Sequence, residues 1–296
     1  MYTQSFDDFN FRALPIYDIL NKDSLRKEIN PYEMKRVKEV NEIVTSVMIG
    51  TIITLDQAQD RYYLFPEGYF RQPAKPIEIT EKMKNTEIYK LIRESKTVCF
   101  VGDSITAGSK NGGYGWYEPL MAAFEGKAVY KEAWDSATTK TLLDNSESIV
   151  NHKSDLYIIA IGTNDIRYRD EKICAMNSHD YVENIDKLTK EILDLNPNSK
   201  FVFIGPWLAL NNDPYSKLNI EVRESMLKEY GELLKSFSEK NGYMFIDSNN
   251  AIYEELLSSS TEKYMLDHIH PNAGDGIKLY SEKLILVNYN KNNTLH

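Results

Sequence analysis

The chain has 296 residues, of which 42% are hydrophobic and 27% charged, a balance typical of a globular protein that buries a sizeable core. Its formal net charge is −9 and no stretch concentrates Lys and Arg. This excludes nucleic acid and anionic membrane surfaces as expected partners and favours a neutral or cationic small substrate.

Two features of the chain bear on its location. Residues 1–8 lack the positive start and the apolar stretch of a secretory signal. The longest uncharged apolar stretch, residues 43–55, is too short to span a bilayer and is interrupted by Thr, Ser and Gly. These features predict a cytoplasmic protein.

The first 92 residues differ in pattern from the rest. Their predicted elements are a helix at 31–47, a strand at 48–55, an aromatic-rich loop at 64–76 and renewed helical pattern at 81–93. We interpret residues 1–92 as a mixed N-terminal extension or small accessory domain and residues 93–296 as the main domain. A structural cap is the favoured role for the first part, with a carbohydrate-binding module as the alternative.

From about residue 98 onward, short apolar runs alternate with amphipathic segments. The runs that predict buried strands are 98–101, 128–133, 156–161, 201–204 and 243–246. The segments with helical spacing are 116–124, 138–150, 181–195 and 218–240, and a last helix is predicted to start after Asn272 as its N-cap. The alternation predicts an α/β fold with a five-stranded parallel sheet between helices. Ligands in such sheets bind beyond the carboxyl ends of the strands.

A Gly-Asp-Ser-Ile-Thr sequence, residues 102–106, directly follows the first predicted strand. A tight strand-to-helix turn here would expose the Ser104 hydroxyl, which is a nucleophile once a base takes its proton. The α/β-hydrolase elbow does not fit, because it needs Gly where Thr106 stands. A phosphate loop does not fit either, because Gly102 and Gly108 bracket five residues instead of four.

The segment Gly162-Thr163-Asn164-Asp165 directly follows the run 156–161. The Asn164 amide at a strand end can donate a hydrogen bond to an oxyanion without titrating. The alternative interpretation is a turn that uses Gly and Asn for their backbone tolerance.

The segment Asp267-His268-Ile269-His270-Pro271 lies near the C-terminus. Residues three apart can meet in a helical turn, so Asp267 can accept a hydrogen bond from His270 and fix its tautomer. His268 would point away from His270 in an extended segment and is interpreted as a bystander. A His-x-His pair can also bind a metal, but no further His/Cys cluster supports that reading.

These three segments resemble blocks I, III and V of the SGNH (GDSL-like) hydrolase superfamily, in order and spacing, over roughly residues 97–290. The resemblance implies a flavodoxin-like three-layer sandwich, and the expected reaction uses no metal and no cofactor. It implies that Ser104 attacks an acyl ester, that His270 is the general base and then the acid, and that Asp267 orients His270. The Ser104 N–H and the Asn164 side chain would line the oxyanion hole.

One position departs from the family pattern. Block II of the family usually supplies a glycine whose backbone N–H is the remaining oxyanion donor, and in residues 133–139 Ser136 occupies its place. A backbone donor need not be lost with the replacement, so Ser136 is retained as a candidate, although its side chain could narrow the pocket or change the bend of the loop. Asp103 and Trp207 are candidate substrate-binding residues, with a role in tying loops as the alternative for Asp103.

The leading hypothesis is a serine esterase that acts on a small or carbohydrate-borne acetyl or short-chain ester through an acyl-Ser104 intermediate. A carbohydrate O-acyltransferase with the same triad is the close alternative, since the same machinery transfers the acyl group to a sugar where water is excluded. A catalytically silent binding module is a third hypothesis from another class.

Overall fold

The computed structural model describes residues 63–64, 70–71, 74–167, 175–207, 209–210, 220–258 and 261–287. The chain divides into two compact units, Met1–Ala74 and Lys75–His296. In the first unit a short antiparallel pair joins Tyr63–Leu64 to Phe70–Arg71. The helix and strand predicted at 31–47 and 48–55 lie outside the described residues, and the domain boundary at residue 92 stays a prediction.

The second unit contains a five-stranded parallel sheet. Its strands are β1 (Thr97–Gly102), β2 (Ala128–Ala133), β3 (Leu156–Ala160), β4 (Lys200–Ile204) and β5 (Met244–Ile246). Their spatial order is 2-1-3-4-5, which is the flavodoxin-like order. The predicted fold class is therefore confirmed, and each predicted strand end lies within one residue of the observed one.

Helices connect and cover the strands. They are α1 (Glu81–Lys84), α2 (Glu87–Glu94), α3 (Ser104–Ala107), α4 (Glu118–Met121), α5 (Thr139–Asp144), α6 (Ser146–Asn151), α7 (Ser178–Leu195), α8 (Ile220–Asn241), α9 (Ser248–Ser258), α10 (Thr261–Tyr264) and α11 (Asp275–Leu286). None of the helices described here is both long and apolar enough to cross a bilayer.

Three predicted helices differ in detail from the observed ones. The segment 138–150 is two helices, which meet at Asn145. The segment 116–124 contains only the four-residue α4, which cannot begin much earlier because Pro119 lacks an N–H and is tolerated only in a first turn. The last helix has Gly274 at its N-cap, but the Asn272 side chain still accepts hydrogen bonds from the N–H groups of Gly274 and Gly276, at 3.1 and 2.9 Å.

The sheet separates two apolar cores, because successive side chains of a strand point to opposite faces. On one face Val98 and Phe100 of β1 belong to a core with α1, α2, α4, α9 and α11. On the other face Cys99, a free buried thiol, and Val101 belong to a core with α5, α6, α7 and α8. Helices on both sides of one sheet make the predicted three-layer sandwich.

The carboxyl ends of β1, β2 and β3 lie side by side. Gly102 ends β1 opposite Ala133 of β2 on one side and Ala160 of β3 on the other. A Cβ at Gly102 would lie 2.5 Å from the Ala160 backbone oxygen and 2.6 Å from Thr106 Oγ1, so only glycine fits this crossing. The loops that follow these three strands therefore meet at one edge of the sheet.

Candidate active site

Ser104 is the first residue of α3, the short helix that directly follows β1. Asp103 is its N-cap: the Asp103 Oδ1 accepts from the Ile105 N–H at 3.0 Å, and its backbone oxygen accepts from the Ala107 N–H at 2.8 Å. Gly108 ends the helix in the left-handed region with φ of 83°, and its N–H donates to the Ser104 backbone oxygen. This turn leaves Ser104 half-buried at the strand end.

The Ser104 hydroxyl is in contact with one histidine ring. Ser104 Oγ lies 2.8 Å from His270 Nε2, and His270 Nδ1 lies 2.7 Å from Asp267 Oδ2. The other carboxylate oxygen, Asp267 Oδ1, accepts from the N–H groups of Ile269 and His270 at 2.8 and 2.7 Å. Asp267 thus holds both the ring and the backbone of His270, and the three side chains form a continuous hydrogen-bonded row.

The protonation of this row follows from its hydrogen bonds. Partial burial raises the pKa of the Asp267 carboxyl, but the hydrogen bonds from the Ile269 and His270 N–H groups and from the His270 ring outweigh it, so the pKa lies below its usual range. An ionised Asp267 can only accept a hydrogen bond here, so the proton between the two residues lies on His270 Nδ1. With Nδ1–H bonded to Asp267, Nε2 is the ring nitrogen that can accept a hydrogen bond from the Ser104 hydroxyl, as a general base needs.

His268 does not take part in this row. Its Nδ1 lies 4.0 Å from Asp267 Oδ1, beyond hydrogen-bond distance, and its backbone oxygen accepts from the Leu210 N–H at 2.8 Å. Of the two neighbouring imidazoles, it is the ring of His270 that the structure brings to Ser104.

Ser136 lies in a tight turn after β2, in which the Ala137 N–H donates to the Trp134 oxygen at 3.2 Å. The φ angle of Ser136 is 61°, a left-handed conformation that such turns usually give to glycine. The turn is joined to β1 because the Trp134 N–H donates to the Gly102 oxygen at 3.1 Å. Ser136 therefore keeps a glycine-like backbone at the position where the family has glycine.

The backbone N–H groups of Ser104 and Ser136 are available to donate hydrogen bonds to a ligand. Within the described part of the chain, neither of them donates a hydrogen bond to a protein acceptor. Both lie just beyond the carboxyl ends of the neighbouring strands, Ser104 at the start of α3 after β1 and Ser136 in the turn after β2. They are suited to receive the negative charge of a substrate oxygen.

Asn164 follows β3 and is 4% exposed. Its Nδ2 donates to the Ala137 oxygen at 3.1 Å, and its Oδ1 accepts from Arg167 at 3.3 Å. The neighbouring Asp165 accepts from the Thr139 N–H and hydroxyl, at 3.0 and 2.6 Å. These bonds fasten the loop of Ser136 to the loop of Asn164. The contact of Thr139 was not predictable, because nothing in the sequence pattern shows which loop the Thr139 hydroxyl meets.

Both predicted substrate-binding residues lie beneath the surface of the site. Asp103 is fully buried; burial and then the nearby Asp165 raise its pKa to about 7 against the hydrogen bond from the Ile105 N–H. Trp207 is 2% exposed, its N–H donates to Thr163 Oγ1 at 2.8 Å, and its ring packs against Tyr280 with centroids 5.1 Å apart. Asp103 thus has the loop-tying position that its sequence context also allowed, and neither side chain offers surface to a ligand.

One group of potential metal ligands occurs among the described residues, and it does not include a member of the Ser104 row. The ligand atoms of His179, Asp180 and Glu183, in the first turns of α7, lie within 4.8 Å of one another. Exposed acidic groups of this kind are common without an ion, and none of the three contacts the Ser104 row.

A parallel α/β sandwich that aligns a serine, an imidazole and a carboxylate at its strand ends is the architecture of a hydrolase. The sequence model of the GDSL-like Lipase/Acylhydrolase family matches residues 100–274. The chain belongs to this family, which places it among the esterases and acylhydrolases.

Several known proteins are similar to this chain. The acetylxylan esterase of Geobacillus stearothermophilus is 22% identical over 201 residues, which are 62% of this chain and 89% of that protein. A crystal structure of the Geobacillus enzyme matches with a TM-score of 0.51 at 20% identity, over 65% of this chain and 94% of that one. A putative GDSL-like lipase from Parabacteroides merdae matches with a TM-score of 0.53 at 16% identity, over 66% and 95%. At these identities the likeness of the structures shows the shared fold.

Ser136 is expected to be replaceable by glycine with a gain in stability. A non-glycine residue in the left-handed region costs about 1–2 kcal/mol, and the greater freedom of glycine in the unfolded chain offsets part of this, which leaves a gain of about 0.5–1 kcal/mol for Ser136→Gly. Ser136→Val should instead lose esterase activity, because a β-branched residue resists this φ and would re-aim the N–H. Urea denaturation and kcat/KM on an acetyl ester measure both effects, and a fully active Val variant would contradict the role of this N–H.

Proposed function

We propose that this protein is a serine esterase that hydrolyses short-chain acyl esters, acetyl esters above all, through an acyl-Ser104 intermediate. The observation that carries the proposal is the row in which Ser104 Oγ lies 2.8 Å from His270 Nε2 and His270 Nδ1 lies 2.7 Å from Asp267. These distances are those of a nucleophile, a base and an orienting carboxylate in hydrogen-bond contact.

In the first half of the reaction, His270 Nε2 takes the hydroxyl proton as Ser104 Oγ attacks the carbonyl carbon of the ester. The carbonyl oxygen becomes an oxyanion, and we propose that the N–H groups of Ser104 and Ser136 and the second N–H of the Asn164 amide stabilise it. Asp267 stabilises the imidazolium that forms. His270 then gives its proton to the departing alcohol oxygen, the ester C–O bond breaks, and the acyl group stays on Ser104.

In the second half, a water molecule replaces the alcohol. His270 Nε2 takes one proton from the water, and the water oxygen attacks the acyl carbon. The second oxyanion that forms accepts hydrogen bonds from the same donors as the first. The bond to Ser104 Oγ breaks as His270 returns the proton to that oxygen. The carboxylic acid leaves, and the row is restored.

The alcohol part of the substrate is proposed to be a neutral carbohydrate. The net charge of −9 favours an uncharged substrate over an anionic one. The similarity to a protein named acetylxylan esterase points in the same direction, since its name gives an acetylated polysaccharide as the substrate. The two arguments together favour acetyl groups on sugar hydroxyls.

Covalent labelling tests the proposed nucleophile. A fluorophosphonate is expected to modify Ser104, found by mass spectrometry of the peptides, and Ser104→Ala should remove the label. Ser148 is a matched control, because its hydroxyl donates to Glu132 at 2.9 Å and His152 lies against the same carboxylate, but no histidine contacts Ser148 Oγ among the described contacts. A label on Ser148, or none on the folded protein, would contradict the proposal.

Product analysis tests the reaction type. With acetyl, butyryl and octanoyl esters of one alcohol, kcat/KM should fall as the acyl chain lengthens. Acetate should be the product even when a free sugar is added as an acceptor. If the acetyl group passes to the sugar instead, the protein is an O-acyltransferase with the same row of residues.

A further inference from the structure

A polar bridge spans two loops next to Ser104. Ser109 Oγ donates a hydrogen bond to Asp135 Oδ1, and Lys110 Nζ lies 3.8 Å from Asp135 Oδ2. The bridge joins the loop after α3 to the turn after β2, because Ser109 and Lys110 both contact Asp135, which lies about 25 residues further along the chain. We refer to Ser109, Lys110 and Asp135 as the rim cluster.

The position of the rim cluster follows from the backbone around it. Ser104 begins α3 and Gly108 closes it, so Ser109 directly follows a helix only about 6 Å long that starts at the nucleophile. Asp135 directly precedes Ser136 in the turn that is hydrogen-bonded to Gly102. The rim cluster therefore borders the nucleophile on the β2 side.

The rim cluster offers hydrogen-bonding groups to solvent. The side chains of Lys110 and Asp135 are 59% and 42% exposed, and Ser109 is exposed as well. An ammonium has three donors and a carboxylate about four acceptor sites, so a single 3.8 Å ion pair leaves most of them available. Of the large apolar side chains that are exposed in the described segments, none falls within residues 103–115 or 134–139. The exposed side chains on this side of the site are thus polar and suit hydroxyl groups, and the aromatic rings of Tyr114 and Trp134 are half-buried there.

We propose that Ser109, Lys110 and Asp135 form a binding subsite for the hydroxyl-rich alcohol part of the ester, a sugar. This inference rests on the proposed esterase function and specifies where its alcohol binds. Paired donors and acceptors recognise vicinal sugar hydroxyls, while the acetyl group reaches Ser104. An aryl ester lacks hydroxyls and gains nothing from the subsite. The subsite therefore sets a preference between alcohols and does not take part in bond breaking.

Steady-state kinetics with two acetyl esters test the subsite. Wild type, Lys110→Ala and Asp135→Asn are compared on an acetylated xylo-oligosaccharide and on 4-nitrophenyl acetate. Hydrogen bonds to charged groups correspond to roughly tenfold in binding, so each variant should lower the ratio of kcat/KM for the sugar ester over the aryl ester by about tenfold, through KM. The matched control is Lys190→Ala, which removes an exposed lysine paired with Asp186 in the middle of α7 and should leave the ratio unchanged.

Three results would overturn the inference. If the rim cluster only joins two loops, the variants will have a lower kcat on both esters and a lower urea midpoint. The ratio of kcat/KM for the sugar ester over the aryl ester will then be unchanged. If wild type hydrolyses the aryl ester through Ser104 but shows no preference for the sugar ester, the esterase function stands and the subsite does not. If Ser104→Ala, which cannot turn over substrate, binds the xylo-oligosaccharide in calorimetry no better than its Lys110→Ala double variant, the subsite also fails, whatever the activity of the wild type.

Discussion

Ser104→Ala and His270→Ala are each expected to lower kcat/KM on an acetyl ester by roughly 10³-fold or more. Ser104 supplies the oxygen that forms the acyl-enzyme, and His270 Nε2, 2.8 Å away, is the group in hydrogen-bond contact that can take its proton. Without either partner, only binding and the oxyanion donors remain. The activity that is left should therefore be that of a water molecule attacking a bound ester.

The double variant sharpens this expectation. Because the nucleophile and the base act as one unit, Ser104→Ala/His270→Ala should be no less active than either single variant, and the logarithms of the losses should not add. Additive losses would mean that the two side chains act in separate steps or in separate sites. Steady-state kinetics with purified variants, checked for folding by urea denaturation, decide between the two.

His268→Ala is the control for the choice of imidazole. Its ring is next to the same aspartate, but at 4.0 Å from the Asp267 carboxylate it makes no hydrogen bond to it. We expect this variant to keep activity within a few-fold of wild type after correction for any unfolded fraction. A loss in His268→Ala together with full activity in His270→Ala would reverse the assignment of the base.

The strands were predictable because a parallel sheet that is covered on both faces requires continuous apolar runs. The run from Leu156 to Ile161 is an example, since every residue of β3 is buried. Helix ends were less predictable, because apolar spacing continues across the break at Asn145. There the backbone of Asn145 leaves helical geometry, with φ of −110° and ψ of 22°, while the apolar periodicity continues.

In the candidate site, too, contacts within a short segment were predictable from the sequence, whereas those that depend on the course of the chain in space were not. The spacing of Asp267 and His270 sufficed to predict their contact, because it depends on a local turn. The sequence shows that Ser136 replaces a glycine, but only the fold shows that the residue keeps a φ of 61°. The burial of Asp103 and Trp207 was not predictable, because a residue at a strand end faces either solvent or core according to the path of the next loop.

Asp103→Asn is expected to change how the free energy of unfolding depends on pH. Burial raises the pKa of Asp103 from its usual value of 3.8 to about 7, and the second buried carboxylate, Asp165, adds to the effect. Other groups around Asp103 are Thr163, Asp135 and the buried phenol of Tyr280. The folded state therefore holds a proton that the unfolded state has lost, between about pH 4 and pH 7, and the stability of the wild type falls as pH rises through this window.

The size and sign of the change in Asp103→Asn follow from this linkage. At about 1.4 kcal/mol per pKa unit, the free energy of unfolding of the wild type should fall by roughly 3 kcal/mol between pH 5 and pH 8 through Asp103. The amide of the variant cannot titrate, so the variant lacks this decrease. Relative to the wild type with Asp103 protonated, the variant should be less stable by about 1–3 kcal/mol, because its Nδ2 would take the place of Asp103 Oδ2, for which no hydrogen-bond partner is found in the described structure. It should therefore be the less stable protein at pH 5 and gain on the wild type steadily towards pH 8.

A control of opposite sign separates this effect from a general response to pH. Burial raises the pKa of Asp155 as well, but hydrogen bonds from the N–H groups of Thr97 and Lys96 outweigh it and hold the pKa below its usual value. Asp155→Asn should thus lose most stability at neutral pH and least in acid, the reverse of Asp103→Asn. Parallel curves for the wild type and Asp103→Asn would show that Asp103 ionises alike in both states. Curves that converge towards pH 8 would show that the turn of Ser104 holds a buried carboxyl whose ionisation lowers the stability of the folded state.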